Sequence, residues 1–169
     1  MIAEGIRISE HKLLDSIYIG GGTPSRLSIH EYSRLLSKVK EHFTCSKNIE
    51  ITFEINPEDV STEYLNNLAK IGVNRLSLGG QSFQDYQLRK LGRNHDSSCL
   101  RKACQEIVNS PIQNWNLDLM FGTPGQSVPM FKKDLESAIA YKPNHISLYG
   151  LEIHERTPFG KNLQICDWV

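Results

Sequence analysis

The sequence predicts an α/β fold built on a parallel, curved sheet, and three observations lead there. Five short apolar runs are separated by stretches with a helical period, each long enough for a parallel crossover. The runs alternate polar with apolar residues, so one sheet face packs on helices while the other meets something polar. The first run ends in three glycines, which strip that strand's carboxyl end of side chains and let a ligand approach bare backbone. A curved sheet or barrel with a polar interior, holding a ligand at the strand ends, satisfies all three.

Residues 1–15 carry Ile6, Leu13 and Leu14 without a cap and are expected to be the remnant of a preceding helix or coil. Ile17 and Ile19 then form a buried strand that runs into Gly20-Gly21-Gly22-Thr23-Pro24. Ser28 and Glu31 have capping-box spacing ahead of Tyr32, Leu35, Leu36 and Val39, a helical stripe. Residues 49–56 alternate, with Ile49, Ile51, Phe53 and Ile55 on one face and Glu50, Thr52, Glu54 and Asn56 on the other. Pro57 stops that strand, and Ser61 or Thr62 caps a helix through Tyr64, Leu65, Leu68 and Ile71 to Gly72.

A third strand over 75–80 sets Leu76 and Leu78 against Ser77, Gly79 and Gln81. A short helix with Tyr86, Leu88 and Leu91 ends at Gly92, and Asp96 caps another through Leu100, Ala103, Cys104, Ile107 and Val108. In the fourth strand, 115–121, Leu117, Leu119 and Phe121 oppose Asn116, Asp118 and Met120. Ser127 caps a helix with Phe131, Leu135, Ala138 and Ile139, and a fifth strand runs from His145 to about Ile153. The remainder, through Thr157-Pro158-Phe159-Gly160, is expected to be loop.

With 169 residues and no internal linker, the chain makes one domain. Lys+Arg and Asp+Glu balance at 19 each, which argues against nucleic acid or an anionic membrane as partner. No apolar run reaches the ~18 residues of a membrane span and no signal-peptide core is present, so the expected location is cytoplasmic. Cys45, Cys99, Cys104 and Cys166 lack zinc, iron–sulfur or thioredoxin spacing, and Cys104 belongs to a buried helix face. His95, His145 and His154 are expected at the surface or behind the site, and no acid or base is assigned to catalysis.

Glu54, Gln81 and Asp118 share the polar face near their strands' carboxyl ends, where they converge beside Gly21 and Gly22. Carboxylates accept from ribose hydroxyls or an ammonium group, Gln does either, and Arg93 can clamp a carboxylate bidentately. With neither GxxxxGK[ST] nor GxGxxG present, the set suits a zwitterionic nucleoside better than a phosphate.

At this point the chain resembles a known family. The carriers are Gly20-Gly21-Gly22-Thr23-Pro24, Glu54-Ile-Asn-Pro57, Gly72-Val-Asn-Arg75-Leu-Ser-Leu-Gly79, Gln81-Ser-Phe83, Leu91-Gly-Arg-Asn-His95 and Asp118-Leu-Met-Phe-Gly122-Thr-Pro-Gly-Gln126. In this order they resemble the radical S-adenosylmethionine family of oxygen-independent coproporphyrinogen III oxidase-like proteins. Gln81-Ser82-Phe83, Leu91 to His95, and Ile146-Ser-Leu-Tyr149 with Thr157-Pro158-Phe159 favour its heme-chaperone branch.

The resemblance implies a partial (β/α)6 TIM-like barrel lacking its first strand, with the core at 16–160 and a truncated C-terminal region beginning at 161–169. It implies S-adenosylmethionine as cofactor, with Gly21, Gly22 and Thr23 at the methionine amino end. Glu54, Gln81, Arg93 and Asp118 would hold the ribose and carboxylate parts, and Glu152 would add a backbone contact. Gly80 and Thr123, where the family more often has larger apolar residues, are expected to loosen packing near the site.

Family members also carry a CxxxCxxC loop for a 4Fe–4S cluster, and residues 1–15 contain no cysteine. Radical chemistry by this chain alone is therefore not expected, whereas the full-length parent would hold the cluster. Three functions compete. One is a heme chaperone that binds heme and delivers it to receiving proteins, using S-adenosylmethionine and the cluster. The second is a coproporphyrinogen III oxidase that decarboxylates a porphyrinogen, and the third a cluster-free nucleoside-binding barrel. The Gly-ended strand is further expected to be an apolar edge that promotes poor solubility or dimerisation.

Overall fold

The computed structural model describes residues 13–152 and 154. Its elements in chain order are β1 (Leu13–Ile19), α1 (Ile29–His42), β2 (Thr44–Ile55), α2 (Thr62–Lys70) and β3 (Arg75–Gln81). They continue with α3 (Asp85–Lys90), α4 (Ser97–Val108), β4 (Asn114–Phe121), α5 (Val128–Ala140) and β5 (His145–Gly150). Single 3₁₀ turns at Pro24–Arg26 and Pro57–Asp59 follow β1 and β2.

The five strands form one sheet in the order β1-β2-β3-β4-β5, and every neighbouring pair is parallel. Strands that pair in chain order through helical crossovers make a partial (β/α) barrel, as expected. The core lies between the sheet's apolar face and the helices. Phe53, Leu76, Leu78, Leu117 and Leu119 are fully buried there against Leu65, Leu68, Leu100 and Ile107. Each such side chain contributes ~1.5–3 kcal/mol, so the alternation of β2 to β4 fixes which face turns to the helices.

The expected caps form. Ser28 and Glu31 close a capping box, and Ser61, Asp96 and Ser127 each accept the N–H of the residue three positions on. Asn74 and Asn144 do matching work before β3 and β4's neighbour β5: Asn74 Oδ1 accepts from Ile51 N–H at 2.7 Å and Asn144 Oδ1 from Trp115 N–H at 3.1 Å.

Five local expectations change. Residues 13–15 extend β1 rather than a helix or coil, because Leu13 and Leu14 pair with Thr44 and Cys45; the register shift before Ser16 hid this. β2 correspondingly starts at Thr44, and β5 ends at Gly150. Gly80 does not loosen the packing: a Cβ there would sit 2.8 Å from Leu117 Cδ1 and 3.0 Å from Leu100 Cδ1. Thr123 is buried and hydrogen-bonded to the buried Gln87, so it too is held tightly. The expectations for residues 1–12, Ile153, Thr157-Pro158-Phe159, Cys166 and the segment 161–169 lie outside the described residues.

Candidate functional site

The strands' carboxyl ends open onto a cavity of about 520 Å³. Gly22, Glu54, Gln81, Arg93, Asp118 and Glu152 of the expected set line it, together with Asn56, Ser77, Gly79, Met120 and Tyr149. Thr23 lines an adjoining hollow of about 360 Å³ that shares Gly22, Asn56 and Arg93 and adds Glu58 and Asp59. Gly21 enters through Glu54, whose Oε2 accepts the Gly21 N–H at 2.9 Å.

Glu54 is fastened from both sides, since its Oε1 accepts the Tyr18 hydroxyl at 2.8 Å. The glycine turn makes room for this carboxylate: a Cβ on Gly20 would lie 2.5 Å from Glu54 Cδ. So the group that approaches Gly20 is Glu54 itself, while Gly21 and Gly22 face open space at φ +90° and +62°. The Tyr18 phenol is pushed up to about 12, by partial burial first and then by its bond to Glu54.

Asp118 belongs to a network across three strands. It accepts from Ser77 Oγ at 3.2 Å and from Asn116 Nδ2 at 2.7 Å, while Ser147 Oγ on β5 donates to Asn116 Oδ1 at 3.0 Å. Gln81 sits where β3 bulges, with the register shifting between Gly79 and Gln81. Its backbone is left-handed at φ +59°, uncommon for a side chain of that size, and its buried Oε1 has no partner among the described residues. The Arg93 guanidinium has no hydrogen bond in the described chain; burial lowers its pKa, and Glu58 and Asp118 oppose the shift.

Tyr18, Ser77 and Asn116 support the two carboxylates, a role not expected from the sequence. Their strand parity was the available signal, because each falls on the polar face. His95 takes the second of its two expected placements: it is buried, 5% exposed, behind the residues that line the cavity.

Among the described residues no three His, Cys, Asp or Glu side chains are grouped to hold a metal ion. Cys45 and Cys99 are partly buried, and the buried Cys104 thiol is pushed up to about 12 by desolvation. These cysteines do not fit an iron–sulfur cluster. No described helix is long and apolar enough to cross a membrane.

The chain is 40% identical to the heme chaperone HemW of Haemophilus influenzae over 150 residues, 89% of this chain and 39% of that protein. It is 37% identical to the Escherichia coli heme chaperone HemW over 155 residues, covering 92% and 41% respectively. It thus spans about two-fifths of the length of these relatives. Among solved structures, the E. coli coproporphyrinogen III oxidase HemN superposes with a TM-score of 0.85 at 24% identity, covering 98% of this chain and 38% of that one. Methylornithine synthase superposes at 0.70 and 15% identity, covering 94% and 45%. Those two likenesses describe the fold. The Radical SAM superfamily model matches residues 1–138, and the chain belongs to the radical SAM superfamily.

Proposed function

We propose that this chain is the S-adenosylmethionine-binding part of a heme-chaperone-type protein, which binds heme and passes it to receiving proteins. The observation that carries the nucleoside site is the set of unsatisfied groups around the cavity. Among the described residues Gln81 Oε1 is buried without a partner, the partly buried Arg93 guanidinium has no hydrogen bond, and two anchored carboxylates face the same space. A ligand offering ribose hydroxyls, an ammonium group and a carboxylate satisfies all of them at once.

In this reading Glu54 and Asp118 accept from hydroxyl or ammonium donors, held in place by Tyr18, Gly21, Ser77 and Asn116. The Gly21 N–H is already committed to Glu54, which leaves the carbonyls of Gly21 and Gly22 as the acceptors an ammonium group needs. Thr23 borders the same end from the adjoining hollow, and Arg93 takes the ligand's carboxylate. Glu152 closes the rim. Bound S-adenosylmethionine supplies a sulfonium; because the described cysteines do not fit a 4Fe–4S cluster, no radical step is assigned to these residues.

The chaperone reading is supported by relatives named heme chaperone HemW at up to 40% identity, whereas the oxidase alternative has the common fold at 24%. Calorimetry is the direct test of the nucleoside site. S-adenosylmethionine should bind the wild-type chain, and E54A should weaken it by about tenfold or more, the scale of a lost charge-assisted hydrogen bond. Absence of binding by the wild type overturns the nucleoside site. Heme titration followed by absorbance, set against a coproporphyrinogen decarboxylation assay, separates chaperone from oxidase.

A further inference from the structure

Beside the cavity lies a buried histidine to which no role has been given. His95 immediately precedes Asp96, the N-cap of α4. Its Nδ1 is 3.2 Å from Glu58 Oε2 and its Nε2 is 3.3 Å from the Gly80 carbonyl. Both partners are acceptors, so both contacts are hydrogen bonds only when the ring carries two protons. The charged group in contact with it is Glu58 on the Pro57–Asp59 turn, while Arg93 and Asp96 are its near neighbours in the chain.

One ring therefore joins the turn after β2, the bulge of β3 and the loop between α3 and α4. Each junction adjoins a cavity group: Gly80 precedes Gln81, and Arg93 lies two residues before His95. Backbone bonds from Gly92 N–H to Arg89 O and Arg93 N–H to Leu88 O fix where the loop begins. The loop's far end is held by the ring and by Asp85, which accepts the Ser97 N–H at 2.8 Å. An apolar residue in place of His95 would leave the Gly80 carbonyl and one Glu58 oxygen without these bonds.

We propose that His95 is a positioning residue that holds the Arg93 loop, and so the Arg93 guanidinium, where the ligand's carboxylate binds. This rests on the S-adenosylmethionine reading above. The test compares affinities for S-adenosylmethionine and for methylthioadenosine, a carboxylate-free analogue, in the wild type, H95A, R93A and the double variant. H95A should weaken S-adenosylmethionine about tenfold or more while changing methylthioadenosine by less than about twofold. The double variant should bind no more weakly than R93A, since His95 acts through Arg93.

Equal losses for both ligands, or additive losses in the double variant, overturn the proposal and make His95 a general support of the fold. If H95A does not fold, H95Q, which keeps one donor, should show the same selectivity with a smaller loss. Amide hydrogen exchange in the absence of ligand separates this proposal from the reading beneath it. Residues 92–95 should exchange about tenfold faster in the variant than in the wild type, with β3 unchanged. Should the wild type bind neither ligand, the nucleoside reading falls and exchange alone decides; unaltered exchange overturns the clamp.

Discussion

Glu54 is the side chain on which the cavity's chemistry is most visibly prepared, and the preparation depends on a hydrogen atom at Gly20. That position has no left-handed backbone to demand glycine; the demand is spatial, because a methyl group would collide with the carboxylate. G20A should therefore displace Glu54, at little cost in stability because the group that must move is the far end of a flexible side chain. It should also weaken S-adenosylmethionine, read by thermal melting and calorimetry on one sample. The Gly20 to Gly22 run was legible as a ligand approach, but its separate roles were not, since which glycine meets which group depends on contacts 33 residues apart. The same limit hid His95. Its partners Glu58 and Gly80 come from two other segments, and a lone histidine in sequence carries no sign of them.

At the scale of elements, Asp134 shows how a helix fixes the lining of the cavity from behind. It is fully buried on α5, accepts from Ser82 Oγ at 2.7 Å and from Phe83 N–H at 2.9 Å, and so fastens the turn just after Gln81. D134A should cost about 3 kcal/mol, two charge-assisted hydrogen bonds' worth, measured as a lower urea midpoint at an unchanged slope. Helices and caps were largely readable from spacing, because Ser28, Ser61, Asp96 and Ser127 act within three residues. Strand ends were less so. β2 begins five residues before its clean alternation at Ile49, in a stretch whose pairing with Leu13 and Leu14 is decided by a neighbour. The bulge at Gln81 was likewise invisible, since two residues opposing one is a property of a pair of strands.

For the whole molecule, the unclosed sheet is the dominant fact. Among the described residues β1 pairs with β2 alone and β5 with β4 alone, and exposed Leu13, Tyr18, Leu148 and Tyr149 lie on these outer strands. Such edges recruit further strands. Sedimentation of the 169-residue chain should show mass rising with concentration, and L13K should reduce it. A monomer at every concentration counts against this. The order of strands in space has another result, because it repeats their order in the chain. During synthesis each new strand emerges when its partner is already outside the ribosome, so the sheet can grow by successive addition. Asp118 arrives only with the fourth strand. A nascent chain must therefore reach β4 by its own packing, before any nucleoside has a finished cradle to reward it.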